Sequence, residues 1–385
     1  NVKNQVNVSL KKTADWLVCH NDLFKTNHQA VGVCALAYCY KYFNEKKYKD
    51  NCYKKIDAIF CVQQKNGWFP EIGGMDIGYT FVTIDYMSMA FEILGEHDKV
   101  KLLVNAFDFA CSFIQPDITI GKEFGICHNP YVSRIAIIMM KNYSRYGAWL
   151  FEFLKNNSIG FKGVSPILAD ELRFSRWSSL PILAYILYNK NNKINNSFSK
   201  KQIPLKLDEN EHFIKNWEKE KIITFSNQNF SGIFAPVCGG LLRLFDKDKI
   251  IFTNKGYMYI SDSGKIYTTN YYSSKTIIEN QNETYSVKVG FTEPGYFFPS
   301  FLSRLILRIL CSTSIGSKYS RKFIDYIRKR KSTALNQSSN PGKSKNIKIF
   351  LKRSISILNK NVFLKDEIIF NININIKSIY KINDT

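Results

Sequence analysis

The sequence predicts an α+β chain of more than one domain, with a helical barrel followed by a β-sandwich. Three observations predict it. Apolar residues recur at helical spacing through residues 1–190 and at twofold spacing from about residue 220 onward. An Asn/Lys-rich stretch, residues 191–219, separates the two patterns and opens with NNKINNSFSKK. A length of 385 residues suits two domains of ordinary size.

The helical half is read element by element. Ala30–Phe43 (AVGVCALAYCYKYF) is a strong apolar stretch closed by the polar break NEKK. Tyr48–Val62 carries Ile56, Ile59 and Phe60 at spacings of three and four. Thr80–Leu94, His97–Phe113 and Val132–Leu154 are helical, the last bending at YSRYGAW, and Ser175–Leu187 closes the half. Short connections make these antiparallel hairpins.

Beyond the linker, Ile222–Phe225, Gly240–Phe245, Ile250–Thr253, Tyr257–Ser261, Lys265–Tyr271 and Thr284–Phe291 read as strands, with NKG and DSG turns between some of them. The pattern resumes at Ile347–Lys352, Ser354–Leu358, Asn361–Leu364 and Asn371–Lys377. The run NININIK sets Ile372, Ile374 and Ile376 on one face. Between them, residues 297–331 form a basic insertion, apolar first and ending in RKRK. Such a segment suits peripheral contact with an anionic membrane, or a helix packed on the sandwich with a solvated basic end.

Composition narrows the function. Hydrophobic residues at 45% and charged residues at 22% exclude a mostly disordered chain. The absence of about 18 uninterrupted apolar residues argues against a standard membrane span. The net charge of +22 is uneven: residues 1–130 hold 14 Lys, no Arg and 14 Asp plus Glu, whereas 301–360 hold 15 Lys plus Arg against Asp325 alone. Aromatic residues do not interleave with those charges, so no nucleic-acid partner is expected. Nine Cys at irregular spacing form neither a disulfide framework nor, with the five His, a zinc pattern; they read as small buried hydrophobes of a reducing compartment. No metal or cofactor is expected. The chain opens at Asn1 rather than Met, as a fragment or a processed form would.

Chemistry-bearing side chains gather in three loops that lead into helices. The first, TNHQ, holds Asn27 and His28. The second, NGWFPEIGGMDIGYTFVTIDY, holds Trp68, Glu71, Asp76, Tyr79 and Asp85. The third, KEFGICHNPYVSR, holds His128, Asn129, Tyr131 and Arg134. Amide, imidazole, phenol and carboxylate groups on loops at one end of a barrel predict one cleft. Taken singly, each has a structural alternative: His28 as a core histidine, Glu71 and Asp76 as helix caps, Trp68 as packing.

Those loops, TNHQAVGVCALAYCYKYF, QKNGWFPEIGGMDIGYTFVTIDYM and EFGICHNPY, with the helix-then-strand order behind them, resemble the heparinase II/III-like polysaccharide lyases and related proteins of bacterial surface-polysaccharide clusters. The resemblance covers nearly the whole chain in architecture and about 50 residues in motif. It implies an N-terminal (α/α) toroid followed by a C-terminal antiparallel β-sandwich. The helices number about seven, fewer than a ring of six hairpins requires, so an incomplete toroid is expected. The resemblance further implies β-elimination on an acidic, uronate-containing surface glycan. Asn27 and His28 match the amide and imidazole that neutralise the carboxylate and take the proton, and Tyr79 is the phenol. Trp68, Glu71, Asp76, Asp85, His128, Asn129, Tyr131 and Arg134 would contact substrate. The partner would be an acidic polysaccharide or a lipid-linked glycan. The location would be cytoplasmic or peripheral to the inner membrane, or periplasmic had a signal been removed. No Arg precedes residue 134, so the first two loops offer no bidentate carboxylate clamp. Two alternatives stay open: an inverting hydrolase using two of Glu71, Asp76 and Asp85, and a non-catalytic assembly or glycan-binding protein.

Overall fold

The helices begin where apolar faces and caps allow. The computed structural model describes residues 2–121, 124–127, 129–156, 179–190, 200–205, 213–227, 229–247, 249–273, 276–293, 349–358, 361–370 and 376–381, with isolated positions between 305 and 312. The described residues form eight α-helices in the N-terminal region and three β-sheets in the C-terminal part, an α+β chain. The helices are α1 (Val2–Cys19), α2 (Thr26–Phe43), α3 (Lys46–Cys61), α4 (Ile77–Ile93), α5 (Val104–Cys111), α6 (Arg134–Met140), α7 (Arg145–Asn156) and α8 (Ser179–Lys190). No helix among the described residues is long and apolar enough to cross a membrane.

Two compact units divide the chain. One is Asn1–Ile214 with Thr224–Ser231 and Phe245–Lys249; the other is Lys215–Ile223, Gly232–Leu244 and Ile250–Thr385. Within the first, α4 is the central helix. It buries residues on every side, among them Ile77, Phe81, Ile84, Met87 and Phe91, and packs against α2, α5 and α6. Each such large side chain contributes about 1.5–3 kcal/mol on leaving water. By contrast α3 buries one stripe, Cys52, Lys55, Ile56 and Ile59, at helical spacing.

The sequence reading places α2 to α4 to within four residues, but it names no helix over Val2–Cys19, and two of its later helices depart from the structure. The predicted helix over 97–113 is a 3₁₀ turn, His97–Leu103, running into α5. The bend expected in YSRYGAW is a full break between α6 and α7. There the Ser144 hydroxyl accepts the Gly147 N–H at 3.1 Å, capping α7, and donates to Asp108.

The strands are β1 (Phe213–Trp217), β2 (Ile222–Ser226), β3 (Ser231–Ala235), β4 (Leu241–Asp246), β5 (Lys249–Asn254), β6 (Tyr257–Ser261), β7 (Ile266–Thr268), β8 (Ile278–Gln281), β9 (Thr284–Gly290), β10 (Ile349–Ile357), β11 (Val362–Phe370) and β12 (Ile376–Lys381). Their sheets run β1-β2-β3-β4-β5, β11-β10-β9-β8 and β12-β6-β7. Antiparallel registers pair Leu351 with Val289 and Ile368, and Ile379 with Tyr259. Strand β1 falls inside the stretch read as linker, because FIKNW is too polar to show a twofold apolar pattern. Of the alternating run, Ile376 starts β12, while Ile372 and Ile374 lie outside the described residues, as does nearly all of 297–331.

In the second unit a single guanidinium ties the three sheets. Arg353 on β10 is fully buried. Its Nε and Nη2 donate to Asp366 of β11 at 2.6 and 2.7 Å, and its Nη1 donates to the Gly240 carbonyl at 2.6 Å. Tyr257 of β6 donates its hydroxyl to the same Asp366 at 2.9 Å. Removing one partner of a buried bidentate pair strands the other charge. We therefore expect Asp366→Ala to lose about 3–5 kcal/mol in urea unfolding; a loss below about 1 kcal/mol would show that the sheets hold together without it.

Candidate functional site

Three loops of the helical unit meet at the N-terminal ends of α2 and α4. Lys25 bridges Glu71 in antiparallel fashion, and the Ile72 N–H donates to the Phe24 carbonyl at 2.8 Å. Thr26, first residue of α2, donates its hydroxyl to the Pro70 carbonyl at 2.6 Å. From the third loop, the Ile126 N–H donates to the Met75 carbonyl at 2.9 Å, and the Cys127 N–H to Asp76 Oδ2 at 3.0 Å. The junction thus joins stretches about 50 residues apart in sequence.

Local backbone explains how the second loop presents its carboxylates. Glu71 and Gly74 exchange backbone hydrogen bonds of 2.8 and 3.0 Å across Ile72 and Gly73, whose φ angles are 50° and 80°. Two left-handed central residues make a tight turn of the I′ kind. Glycine adopts that backbone freely, whereas β-branched Ile72 is strained there. Two residues past the turn, Asp76 caps α4: its Oδ1 accepts the Tyr79 N–H at 2.9 Å. The third loop comes so close that a Cβ at Gly78 would lie 2.2 Å from the Asn129 carbonyl oxygen, and one at Gly125 would lie 2.5 Å from Asp76 Oδ2.

Electrostatics separate the two buried carboxyls of the second loop. Asp76 accepts two backbone N–H groups, which favour its charged form. Glu71 is pushed up to about 8, chiefly by burial. The Asn27 amide and backbone N–H pull it down, Asp76 raises it again, and Lys25 lowers it. Burial wins, so Glu71 is largely protonated at neutral pH. Asn27 itself is buried against this group, and its Nδ2 makes no well-formed hydrogen bond. The Cys127 thiol is raised by burial and by both carboxyls.

The residues singled out in the sequence fall into three groups. Asn27, Glu71 and Asp76 are interior and together. His28, although next to Asn27, stands 55% exposed with Nδ1 3.3 Å from Asp22 Oδ2. Neighbours on a helix point about 100° apart, so the amide and imidazole do not converge as expected. Trp68, Tyr79, Asn129 and Arg134 are half-buried, and burial lowers the Arg134 pKa.

Asp85 and Tyr131 correct the expectation of substrate contact. Asp85 is buried in the middle of α4 and is pushed up to about 7 by desolvation. It accepts hydrogen bonds from Tyr131 at 2.8 Å, from the Ser133 hydroxyl, and from the Ala136 N–H at 3.0 Å. It therefore caps α6 from another helix, and Tyr131 is its buried donor. His128 lies outside the described residues.

Sequence reasoning passed over Asp22, Lys25 and Cys127. Asp22 was within reach, six residues ahead of His28 in the same loop, and a carboxylate there orients an imidazole. The Cys127 contact had no signal, because a backbone N–H carries no residue identity. Searches against protein-family models, curated proteins and solved structures find no match to the chain.

Two outcomes follow from the junction. Ile72→Gly relieves the left-handed strain and is expected to raise stability by about 1 kcal/mol in thermal unfolding; a lower stability would mean that Ile72 packing outweighs strain. The second outcome concerns pH. Folded Glu71 keeps its proton to about pH 8, whereas the ordinary value is 4.5. The folded state therefore binds the extra proton between those values, and stability falls as pH rises across that window. Glu71→Gln should remove this contribution. Relative to the parent, its stability between pH 5 and 8 should improve by on the order of 3–4 kcal/mol in urea unfolding. A parent–variant difference that does not change with pH would refute the buried protonated carboxyl.

Proposed function

We propose that the chain is a carbohydrate-active protein of the heparinase II/III-like kind, an incomplete (α/α) toroid followed by an antiparallel β-sandwich. Its reaction is β-elimination on a uronate-containing bacterial surface glycan. The observation that carries this reading is the Asp22–His28 pair beside the loop junction. A carboxylate at Nδ1 selects the tautomer in which Nε2 is the free base, and Asp22 is itself lowered by the hydrogen bond from His28. An exposed, oriented imidazole is what removal of a weakly acidic C5 proton requires.

The steps then assign themselves. His28 Nε2 takes the C5 proton, the electron pair forms the C4–C5 double bond, and the C4–O bond breaks. Tyr79, half-buried at the start of α4, protonates the leaving oxygen. Lys25, whose charge already acts on Glu71 and Cys127, offsets the uronate carboxylate as charge develops. Trp68 supplies an apolar platform for a sugar ring. Peripheral contact of 297–331 with an anionic membrane belongs to the same proposal and would bring a lipid-linked glycan near.

A second reading is favoured by Glu71 alone. A carboxyl held protonated near neutrality, with a second carboxyl, Asp76, beside it, is the kind of pair an inverting hydrolase uses. Products separate the two readings. On uronate-containing polysaccharides, β-elimination releases an unsaturated sugar that absorbs in the ultraviolet, and hydrolysis releases reducing ends without it. His28→Ala is expected to lose about 10²–10⁴-fold of the eliminating activity while unfolding as the parent does. Ultraviolet-silent reducing ends that persist in His28→Ala and vanish in Glu71→Gln would replace elimination with hydrolysis. Release of neither product would leave glycan binding as the activity.

A further inference from the structure

Away from the loop junction, the helical unit holds a cavity of about 500 Å³, lined from the ends of α4 and α6, the 3₁₀ turn and α8. That volume lies in the range of small-ligand sites. Its shape follows from how α4 stops. After Ile93 the chain turns through Leu94 and Gly95, and the 3₁₀ turn then sets His97 back over the last turn of α4. There His97 Nδ1 meets Glu92 Oε2 at 2.6 Å, with the imidazole 62% exposed and the carboxylate 20% exposed. Tyr143, after α6, donates its hydroxyl to the His97 carbonyl at 3.5 Å and also lines the space.

The lining selects a ligand class. Val100 and Ile138 give apolar wall, while Glu92, His97, Lys141 and Tyr143 bring polar groups. The formal charges of Glu92 and Lys141 cancel, so the lining as a whole does not call for an ion. An anion would meet the Glu92 carboxylate, and a cation would meet the Lys141 ammonium. A neutral molecule with several hydroxyls satisfies both, because each hydroxyl donates and accepts. Its C–H faces suit the apolar wall.

We propose that this cavity is a binding site for a neutral, hydroxyl-rich molecule of monosaccharide size, with Glu92 as the main acceptor and His97 as its oriented neighbour. The site is separate from the junction and does not depend on elimination being the reaction there. The test is saturation-transfer NMR on the intact chain, with glucose as the probe and acetate and methylphosphonate as anionic comparisons. The parent should transfer saturation to glucose and to neither anion. Glu92→Gln and His97→Ala, both at partly exposed positions, should weaken glucose binding about tenfold, the cost of a hydrogen bond to a charged group, with thermal unfolding unchanged. His28→Ala should leave the glucose signal intact, which separates this site from the junction. No transfer to glucose, transfer unaffected by both cavity variants, or transfer to the anions in preference to glucose would overturn the proposal.

Discussion

Asp76 is the residue on which the junction depends. One carboxylate oxygen holds the first turn of α4 and the other holds the Cys127 N–H, 51 residues further on. A helix start leaves backbone N–H groups without partners, and a loop crossing an interior leaves others. A single buried anion satisfies one from each. Burial is what keeps the proton on the adjacent Glu71, and the neighbouring Asp76 carboxyl pushes in the same direction. The charge state of the site is a consequence of how the fold closes its own backbone.

The same device recurs along α4 and in the second unit. Asp85, about two and a half turns beyond the Asp76 cap, reaches out to Ser133, Tyr131 and the Ala136 N–H, and so fixes where α6 begins. A helix buried on nearly all sides offers little water to a carboxylate in its middle, so Asp85 draws its partners from another element. In the second unit Arg353 plays the reciprocal part, a buried cation spending its donors on Asp366 and on the Gly240 carbonyl. Such groups cost desolvation, yet they allow few alternative arrangements, which makes them registers for packing.

Much of this layout was legible because it is periodic. The stripe Cys52, Ile56, Ile59 announces α3, and the apolar run after Ala30 announces α2. Twofold alternation announces β6 and β9. What escaped was aperiodic or unusually polar: β1 with its FIKNW, β3 with SGIFA, and β8 in IENQ, which takes strand geometry from pairing with β9 across a turn in which Asn282 and Glu283 both have positive φ. At the site, the sequence pointed to three loops because they concentrate polar and aromatic residues. It could not tell Asp85, a cap, from Glu71, a buried acid, since both are carboxylates near apolar neighbours.

What the sequence by itself determined is the α+β order of the chain, the helical first part, and three loops that concentrate polar and aromatic residues. Those follow from spacing, and spacing is local. Only the tertiary structure decided that Asn27 turns inward while His28 turns out to Asp22, that Tyr131 belongs to Asp85, and that Glu92 and His97 share a cavity. The physical reason is that direction and burial depend on partners from distant segments. A proton on Glu71 or a tautomer on His28 is set by how much water and which neighbour remain once those segments have packed.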